Sequence, residues 1–210
     1  LERATLDSLS GIKAGTTYDP LAASEAVLII REQYLRKGFP AVRVVTSLEA
    51  MAPDLRLVFN VTEGPKVKIS RVEFVGNSAV SDGTLRKKMK TNKGRKWWSF
   101  ISGAGTFKAD KYEEDAERVG QYYRNQGFVQ ARIGAPELKT LRDTPDQKTR
   151  WIELRIPVTE GPRFRVGDVK FDGNTIVKTE GLGPLFKLTQ GEYYNEESVR
   201  KGLEKAREIY

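Results

Sequence analysis

Apolar and polar positions alternate with two different periods along this chain, and both patterns recur. Three seventeen-residue segments, at 18–34, 107–123 and 194–210, align without a gap, and each opens on an aromatic residue and closes on a tyrosine. Their apolar residues lie three and four apart, which predicts the buried face of an amphipathic helix. The predicted buried stripes are Ala23, Val27, Ile30 and Tyr34; Tyr112, Ala116, Val119 and Tyr123; and Val199, Leu203, Ala206 and Tyr210.

A period of two marks the segments that follow the first two helices. Short strands are predicted over 41–47 and 128–135, and a longer strand follows each of them. Such alternation is typical of a strand that buries one face and exposes the other. The predicted inward positions of the longer strands are Leu55, Leu57, Phe59 and Val61, and Ile152, Leu154, Ile156 and Val158.

The most similar pair of segments carries a further strand. VTEGPKVKISRVEFVGN (61–77) returns as VTEGPRFRVGDVKFDGN (158–174), and nine of the seventeen positions are identical. The apolar phase slips near Ser70-Arg71 and again near Gly167-Asp168, which predicts a bulge or a bend. A short helix is expected after each Gly-Asn pair, and residues 1–9 are the remnant of that helix in the first copy.

These patterns combine into one repeated unit of strand, helix, helix, strand and strand. Two amphipathic helices on one face of a three-stranded mixed sheet make a two-layer α+β domain. We expect a first repeat at 1–64 that lacks its first strand, a complete middle repeat at 65–161, and a third repeat at 162–210 that is truncated in its second helix. The chain is therefore expected to be a fragment of a longer protein.

Composition excludes several classes of function. The 210 residues include no cysteine and no histidine, so disulfides, Ser-His or Cys-His catalysis and ordinary zinc sites are not expected. We expect no enzymatic activity, no cofactor and no metal. The net charge of +8 is concentrated in the middle repeat, where RKKMKTNKGRK (86–96) has seven basic residues and no acidic one.

The basic segment has two interpretations. Basic residues near a helix C-terminus favour the helix dipole, so the segment can be a solvated helix end. Alternatively, it attracts anionic lipid headgroups. No stacking platform or known RNA- or DNA-binding module accompanies it, so nucleic acid is not an expected partner.

The repeated unit resembles the POTRA domain. The resemblance rests on Glu-Gly-Pro leading into V-x-F-x-G-N, on Y-x-x-x-G-F at 34–39 and 123–128, and on the element order, and it covers essentially the whole chain. The middle repeat is similar to a POTRA domain of BamA-type outer-membrane protein assembly factors, because KWWSF lies in an extended loop between its helices. This resemblance implies that the three repeats are the second to fourth POTRA domains of such a factor.

The resemblance also implies a function. POTRA arrays of this kind lie in the periplasm, receive unfolded outer-membrane proteins from periplasmic chaperones and bind accessory lipoproteins. Strand addition to an open sheet edge, known as β-augmentation, would provide the binding. The alternative is the POTRA region of a dedicated receptor, of the TamA type, of two-partner secretion or of organelle protein import.

Two short segments are predicted to join the repeats. Glycine and proline in Glu63-Gly64-Pro65 and Glu160-Gly161-Pro162 are turn residues. The turns are either plain loops or joints that set the angle between consecutive repeats, and we expect joints because the repeat boundaries fall there.

The expected binding edge lies in the middle repeat. By resemblance, the strand after the second helix is an outer strand and the final strand is central. Trp97 and Trp98 either pin the long loop to the domain or contact a partner. The residues expected to bind a partner strand are Phe128, Val129, Gln130, Ala131, Arg132, Ile133 and Gly134.

Overall fold

The computed structural model describes residues 1–94 and 105–210, in which helices and strands are mixed along the chain. This mixture confirms the predicted α+β class. The α-helices are α1 (Arg3–Ser10), α2 (Pro20–Arg36), α3 (Asp82–Lys88), α4 (Tyr112–Arg124), α5 (Thr179–Phe186) and α6 (Glu196–Ile209). The strands are β1 (Arg43–Met51), β2 (Asp54–Thr62), β3 (Lys66–Val75), β4 (Arg132–Ile133), β5 (Glu137–Asp143) and β6 (Thr149–Thr159).

Close contacts divide the chain into two compact units. The first comprises Leu1–Val72, Thr91–Tyr112 and Leu138–Leu154. The second comprises Glu73–Lys90, Glu113–Glu137 and Arg155–Tyr210. These units differ from the three sequence repeats, because the middle repeat contributes residues to both. Each unit contains one complete Glu-Gly-Pro turn.

In the first compact unit, α2 packs on an antiparallel hairpin of β1 and β2. Asp19 begins α2 by accepting a hydrogen bond from the backbone nitrogen of Leu21, and Pro20 occupies the first helical position, where its missing N–H costs nothing. The buried cluster between this helix and the hairpin consists of Ile30, Tyr34, Val42 and Val44. Within the predicted stripe of α2, Ala23, Ile30 and Tyr34 are buried, Val27 is half-buried, and the neighbouring Ala26 is buried as well.

One prediction for this hairpin is wrong in part. Leu55 was expected to point inward, but it is 59% exposed, whereas Phe59 and Val61 are half-buried. The core residue Val44 pairs with Val61, at the end of the hairpin where α2 packs. Leu55 pairs with Ala50 at the other end, so the core does not reach it.

The sheet of the middle repeat has the strand order β3-β6-β4, and β5 also pairs with β6. The final strand is therefore central and the strands after α4 are outer, as predicted. All four inward positions of β6 are buried, namely Ile152, Leu154, Ile156 and Val158. The phase slip in β3 is also confirmed, because two exposed neighbours, Ser70 and Arg71, separate the buried residues Val67 and Ile69 from Val72 and Phe74.

The stripe of α4 is buried throughout, as predicted. The exposed fractions are 4% for Tyr112, 8% for Ala116, 1% for Val119 and 0% for Tyr123. In the second compact unit, Ser81 caps α3 by accepting a hydrogen bond from the backbone nitrogen of Thr84. The short helix predicted after Gly76-Asn77 is therefore present.

The predicted strand of the third repeat is absent from the structure. Between residues 164 and 171 no residue belongs to a named strand. The backbone forms an isolated bridge from Arg165 to Tyr193, and hydrogen bonds join Phe164 and Val166 to Gly127 and to residues 191–194. The predicted stripe of α6 is open as well, since Leu203 is 48% exposed and Tyr210 is 59% exposed. Among the described residues no strand follows α6.

Candidate functional site

The two outer edges of the middle sheet differ in what covers them. In the first compact unit, the chain after the inter-helix loop runs along the outer edge of β3. The nitrogen of Ile69 donates to the carbonyl of Gly105, the nitrogen of Phe107 donates to the carbonyl of Val67, and Lys68 forms an antiparallel bridge with Thr106. Residues 105–107 therefore occupy the outer edge of β3 over residues 67–69.

The opposite edge of the sheet is formed by β4 and β5. Every residue of β5 is exposed, and its inner edge pairs with β6. Within 1–94 and 105–210, no strand pairs with its outer edge. Outward N–H and C=O groups on such an edge can pair with another extended chain.

The predicted strand over 128–135 is much shorter in the structure. Only Arg132 and Ile133 have strand geometry, pairing with Thr159 and Val158, and the nitrogen of Gly134 donates to the carbonyl of Pro157 at 2.8 Å. The other predicted edge residues precede this strand: Phe128 is buried, Val129 and Gln130 form a turn, and Ala131 is half-buried. The exposed edge lies further along the chain, in β5.

The end of α4 explains this difference. Gly127 has a φ of 92°, in the left-handed region, and the nitrogen of Phe128 donates back to the carbonyl of Tyr123 at 3.0 Å. The nitrogen of Ala131 then donates to the carbonyl of Phe128 at 3.1 Å. The chain uses these residues to close the helix and turn, so they are not available for a strand.

The two Glu-Gly-Pro turns have the same backbone geometry. Gly64 and Gly161 both have a φ of 68°. A β-carbon on Gly64 would lie 3.1 Å from the β-carbon of Ala41, and one on Gly161 would lie 3.3 Å from the β-carbon of Gln130. Each turn thus needs glycine for its left-handed φ and for its close approach to Ala41 or Gln130. Pro65 is half-buried and Pro162 is exposed.

A backbone hydrogen bond follows each turn at the same place. The nitrogen of Val67 donates to the carbonyl of Gly38, and the nitrogen of Phe164 donates to the carbonyl of Gly127, both at 2.8 Å. Each pair joins the residue two positions after the turn's proline to the glycine that ends a helix. The equal distances show that the two copies use the same connection.

A tyrosine–glutamate pair accompanies each turn, and the sequence analysis did not predict it. The hydroxyl of Tyr34 donates to Oε1 of Glu63 at 2.9 Å, and the hydroxyl of Tyr123 donates to Oε1 of Glu160 at 2.9 Å. Both tyrosines had been assigned only to the buried stripes of their helices. The recurrence of tyrosine at the helix end and glutamate at the turn was a signal that could have suggested the contact.

The two glutamates differ in their further contacts. Glu160 is 8% exposed, and its carboxylate accepts a hydrogen bond from the hydroxyl of Ser78 at 2.8 Å. The backbone nitrogen of Ala79 donates to both carboxylate oxygens of Glu160, at 3.0 Å each. Glu63 is exposed, and its carboxylate accepts the hydrogen bond from Tyr34 described above. The carboxylate of Glu160 therefore ties the loop before α3 to the turn and to α4, all within the second compact unit.

These contacts shift the pKa values of Glu160, Tyr34 and Tyr123. Burial would raise the pKa of Glu160, but the hydrogen bonds from Ser78, Ala79 and Tyr123 outweigh it, and the pKa is lowered. Burial, with the hydrogen bond to Glu63, raises the pKa of Tyr34 to about 12. Burial, with the hydrogen bond to Glu160, raises the pKa of Tyr123 as well. Both pairs are thus held as a neutral phenol that donates to a carboxylate.

The sequence also predicted roles for the tryptophan pair and for the basic segment, and residues 95–98 of these lie outside the described part of the chain. Trp97 and Trp98 fall outside the described residues, so both interpretations of them stay predictions. In the basic segment, Nζ of Lys88 lies 4.3 Å from the centre of the Tyr122 ring, a cation–π contact, while Met89 and Asn92 are buried. None of the helices in the described part of the chain has the length and apolar character of a membrane span.

Comparisons with known proteins identify the repeat. The family model described as "POTRA: Surface antigen variable number repeat" matches residues 1–64, 67–161 and 164–210. The outer membrane protein assembly factor BamA of Neisseria meningitidis serogroup B is 27% identical over 192 residues, which cover 90% of this chain and 23% of that protein. BamA of Nitratidesulfovibrio vulgaris is 29% identical over 178 residues, which cover 84% of this chain and 22% of that protein. The chain thus spans less than a quarter of the length of these two curated relatives.

One solved structure shows the same fold. The crystal structure of Haemophilus influenzae BamA POTRA3-5 matches with a TM-score of 0.53 and 16% identity, covering all of this chain (100%) and 80% of that one.

Proposed function

The chain belongs to the POTRA family, and from this premise we propose that it is a periplasmic scaffold that binds unfolded outer-membrane proteins by strand addition. Periplasmic chaperones that deliver such proteins, and accessory lipoproteins of the assembly machinery, are its further proposed partners. The three repeats are proposed to be the units 1–64, 65–161 and 162–210, as the sequence patterns predict.

The exposed outer edge of β5 carries this proposal. The edge of β3 is occupied by residues 105–107 in the first compact unit, whereas no described strand pairs with the outer edge of β5. A chain that adds a strand to this sheet therefore finds the outer edge of β5 open over its whole described length, whereas part of the β3 edge is already paired. Part of the segment predicted from the sequence also pairs with β6, on the same edge of β6 as β5. Arg132 and Ile133 pair with Thr159 and Val158, and the nitrogen of Gly134 donates to the carbonyl of Pro157.

Strand addition suits a receptor for many clients. An added strand gains backbone hydrogen bonds whatever its sequence, and alternate side chains then decide how well it fits. The side chains of β5 are mostly polar or charged, with Leu138 44% exposed and Leu141 43% exposed as its large apolar groups. A partner strand therefore meets two apolar contacts on an otherwise polar edge.

The Glu-Gly-Pro turns are proposed to be joints that fix the angle between consecutive repeats. The equal φ of Gly64 and Gly161, the two 2.8 Å backbone bonds and the repeated tyrosine–glutamate pairs support this assignment. A scaffold that offers several binding surfaces to one client gains from such fixed spacing, because the surfaces stay at a constant separation.

Two neighbouring proline variants test strand addition. Successive N–H groups of a strand point to opposite sides, so of Leu141→Pro and Arg142→Pro one removes an outward donor and the other removes a donor to β6. We expect one variant to keep its fold and lose binding of a strand peptide, and the other to lose stability. Amide chemical shifts on titration with the peptide measure binding, and thermal unfolding measures stability.

The position of the shifted amides decides the outcome. Shifts that cluster along β5 support the proposal, whereas shifts on α4 around Ala116 and Val119 would show binding in a helix groove and contradict it. A panel of peptides from many outer-membrane strands extends the test. A general receptor binds most of them weakly, whereas a dedicated secretion or import receptor binds few.

A further inference from the structure

A row of alternating charges crosses the sheet within the first compact unit. Nε of Arg71 on β3 donates to Oε1 of Glu153 on β6, and Nζ of Lys139 on β5 lies 3.8 Å from Oε2 of the same carboxylate. The row reads positive, negative, positive from β3 to the edge. Glu153 is 1% exposed, which is unusual for a side chain that the strand alternation predicted to face outward.

The row ends on the strand proposed to bind a partner. The side chain of Lys139 is 61% exposed, and its 3.8 Å distance to Glu153 exceeds that of a direct hydrogen bond. An ammonium group has three donors and no acceptor, so it can bind a further carboxylate on its open side. Arg71 and Glu153 supply the preceding positive and negative charges of the row. A negative charge would therefore continue the alternation beyond Lys139.

We infer that the strand added to β5 is selected by charge and that it places a carboxylate opposite Lys139. This inference rests on the proposed strand addition. Opposite charges directly across two strands stabilise pairing, and like charges destabilise it. A glutamate or aspartate on the incoming strand would extend the row to positive, negative, positive, negative.

The apolar residue beside Lys139 defines the other face of the partner. Leu138 is 44% exposed, and successive side chains of a strand point to opposite faces. The partner residues next to the carboxylate therefore point to the face of Leu138, where an apolar side chain buries area that is now exposed. The class of ligand is an extended strand with an acidic residue opposite Lys139 and an apolar residue beside it, on the face of Leu138.

A lysine on an edge strand can also have the opposite effect. Edge lysines discourage strand addition, because a partner must desolvate or displace the charge. A purely protective Lys139 would weaken binding of every peptide, and its replacement by a neutral residue would strengthen all of them. A selective Lys139 instead ranks peptides by their charge at one position.

Three strand peptides that differ at one position test the inference. Their central polar position is glutamate, glutamine or lysine, and the apolar face is identical. We expect the glutamate peptide to bind about fivefold more tightly than the lysine peptide at low salt, with glutamine between them. The difference should largely disappear at about 1 M salt, where screening acts within about 3 Å.

Two charge-reversal variants of the protein provide the matched comparison. Lys139→Glu should invert the order of the peptides, whereas Lys148→Glu, which makes the same change of net charge at an exposed position before β6, should keep it. Lys139→Gln, in which the carboxylate of Glu153 gains no like-charged neighbour, should bind the glutamate and lysine peptides equally. Thermal unfolding shows whether each variant is folded before it is titrated.

The outcomes separate this inference from the proposed function. If all three peptides bind equally and shift amides of β5, strand addition stands and selection by Lys139 is wrong. If Lys148→Glu inverts the order as Lys139→Glu does, the preference comes from overall charge and the inference is wrong. If folded protein binds none of the peptides, both the inference and the proposed strand addition fail.

Discussion

In the middle repeat, the tyrosine in the last turn of α4 is fully buried, whereas the aligned tyrosine that follows α6 in the third repeat lies in solvent. Tyr123 is 0% exposed and Tyr210 is 59% exposed. The same contrast holds two turns earlier in the helices, where Ala116 is 8% exposed and its aligned residue Leu203 is 48% exposed. The apolar stripes are similar, so the stripe alone does not bury a helix face.

The difference lies in the sheet. β6 gives the middle repeat a central strand with four buried apolar residues, and β3 pairs with it. In the third repeat, segment 164–171 has the alternation of β3 but forms one isolated bridge, and no strand follows α6 among the described residues. In the middle repeat, a formed first strand and a buried second helix thus accompany a central final strand.

The largest expected effect comes from truncating the two aligned tyrosines. Tyr123→Ala removes a buried ring and the donor to Glu160, so it should cost about 3–5 kcal/mol of stability. Tyr210→Ala changes an exposed side chain and should stay within about 0.5 kcal/mol. Hydrogen exchange of the β6 amides measures the local stability in Tyr123→Ala, and hydrogen exchange of the α6 amides measures it in Tyr210→Ala.

A comparable loss in both variants would contradict this contrast. It would mean that the third repeat has a packed core around α6 in solution. Leu203→Ala is a second check on the same helix, because a packed stripe would make it costly, whereas its present 48% exposure predicts little change.

The contrast also shows what a sequence pattern can and cannot predict. The stripe of α4 and the alternation of β6 were predictable, because burial imposes its period on neighbouring residues in the chain. The extent of the edge strand was not predictable from alternation, because the turn after Gly127 uses Phe128 and Gln130 for a different purpose.

Contacts between side chains that are far apart in sequence were the hardest to predict. Tyr123 and Glu160 are 37 positions apart, and neither residue type requires the other. The burial of Glu153 was also unexpected, since its position on β6 predicts an exposed side chain. Both features depend on how strands and helices come together, which the local period does not contain.

A glycine pair gives the next largest effect and compares a Glu-Gly-Pro turn, proposed to be a joint, with a segment that forms no strand. Gly161 has a φ of 68° and a close neighbour in Gln130, whereas a β-carbon on Gly167 would meet nothing within 4 Å. Gly161→Val should therefore cost about 2 kcal/mol, mainly from the left-handed backbone, and Gly167→Val should cost much less. Urea unfolding measures the cost, and small-angle scattering measures whether the joint changes its angle.

Equal tolerance at both positions would show that the turn can adopt another backbone conformation without loss. Gly64→Val is the matched variant in the first joint, where φ is also 68° and Ala41 is the neighbour. We expect it to behave as Gly161→Val does, because the two turns have the same geometry. A change in scattering for one joint variant but not the other would contradict that equivalence.

The smallest expected effect is a pH dependence that depends on Glu160. Its folded pKa is lowered, so its stabilising contribution is present above its unfolded pKa of about 4.3 and is lost as pH falls through the folded pKa. Glu160→Gln should cost about 1 kcal/mol at pH 7, because the carboxylate accepts from Ser78, Ala79 and Tyr123, and the difference should shrink toward pH 3. Urea unfolding of both proteins at the two pH values measures the change, with Glu192→Gln, an exposed glutamate of the third repeat, as the control. A Glu160→Gln cost that is the same at pH 7 and pH 3 would show that the carboxylate contributes by its shape, and that its ionisation does not stabilise the joint.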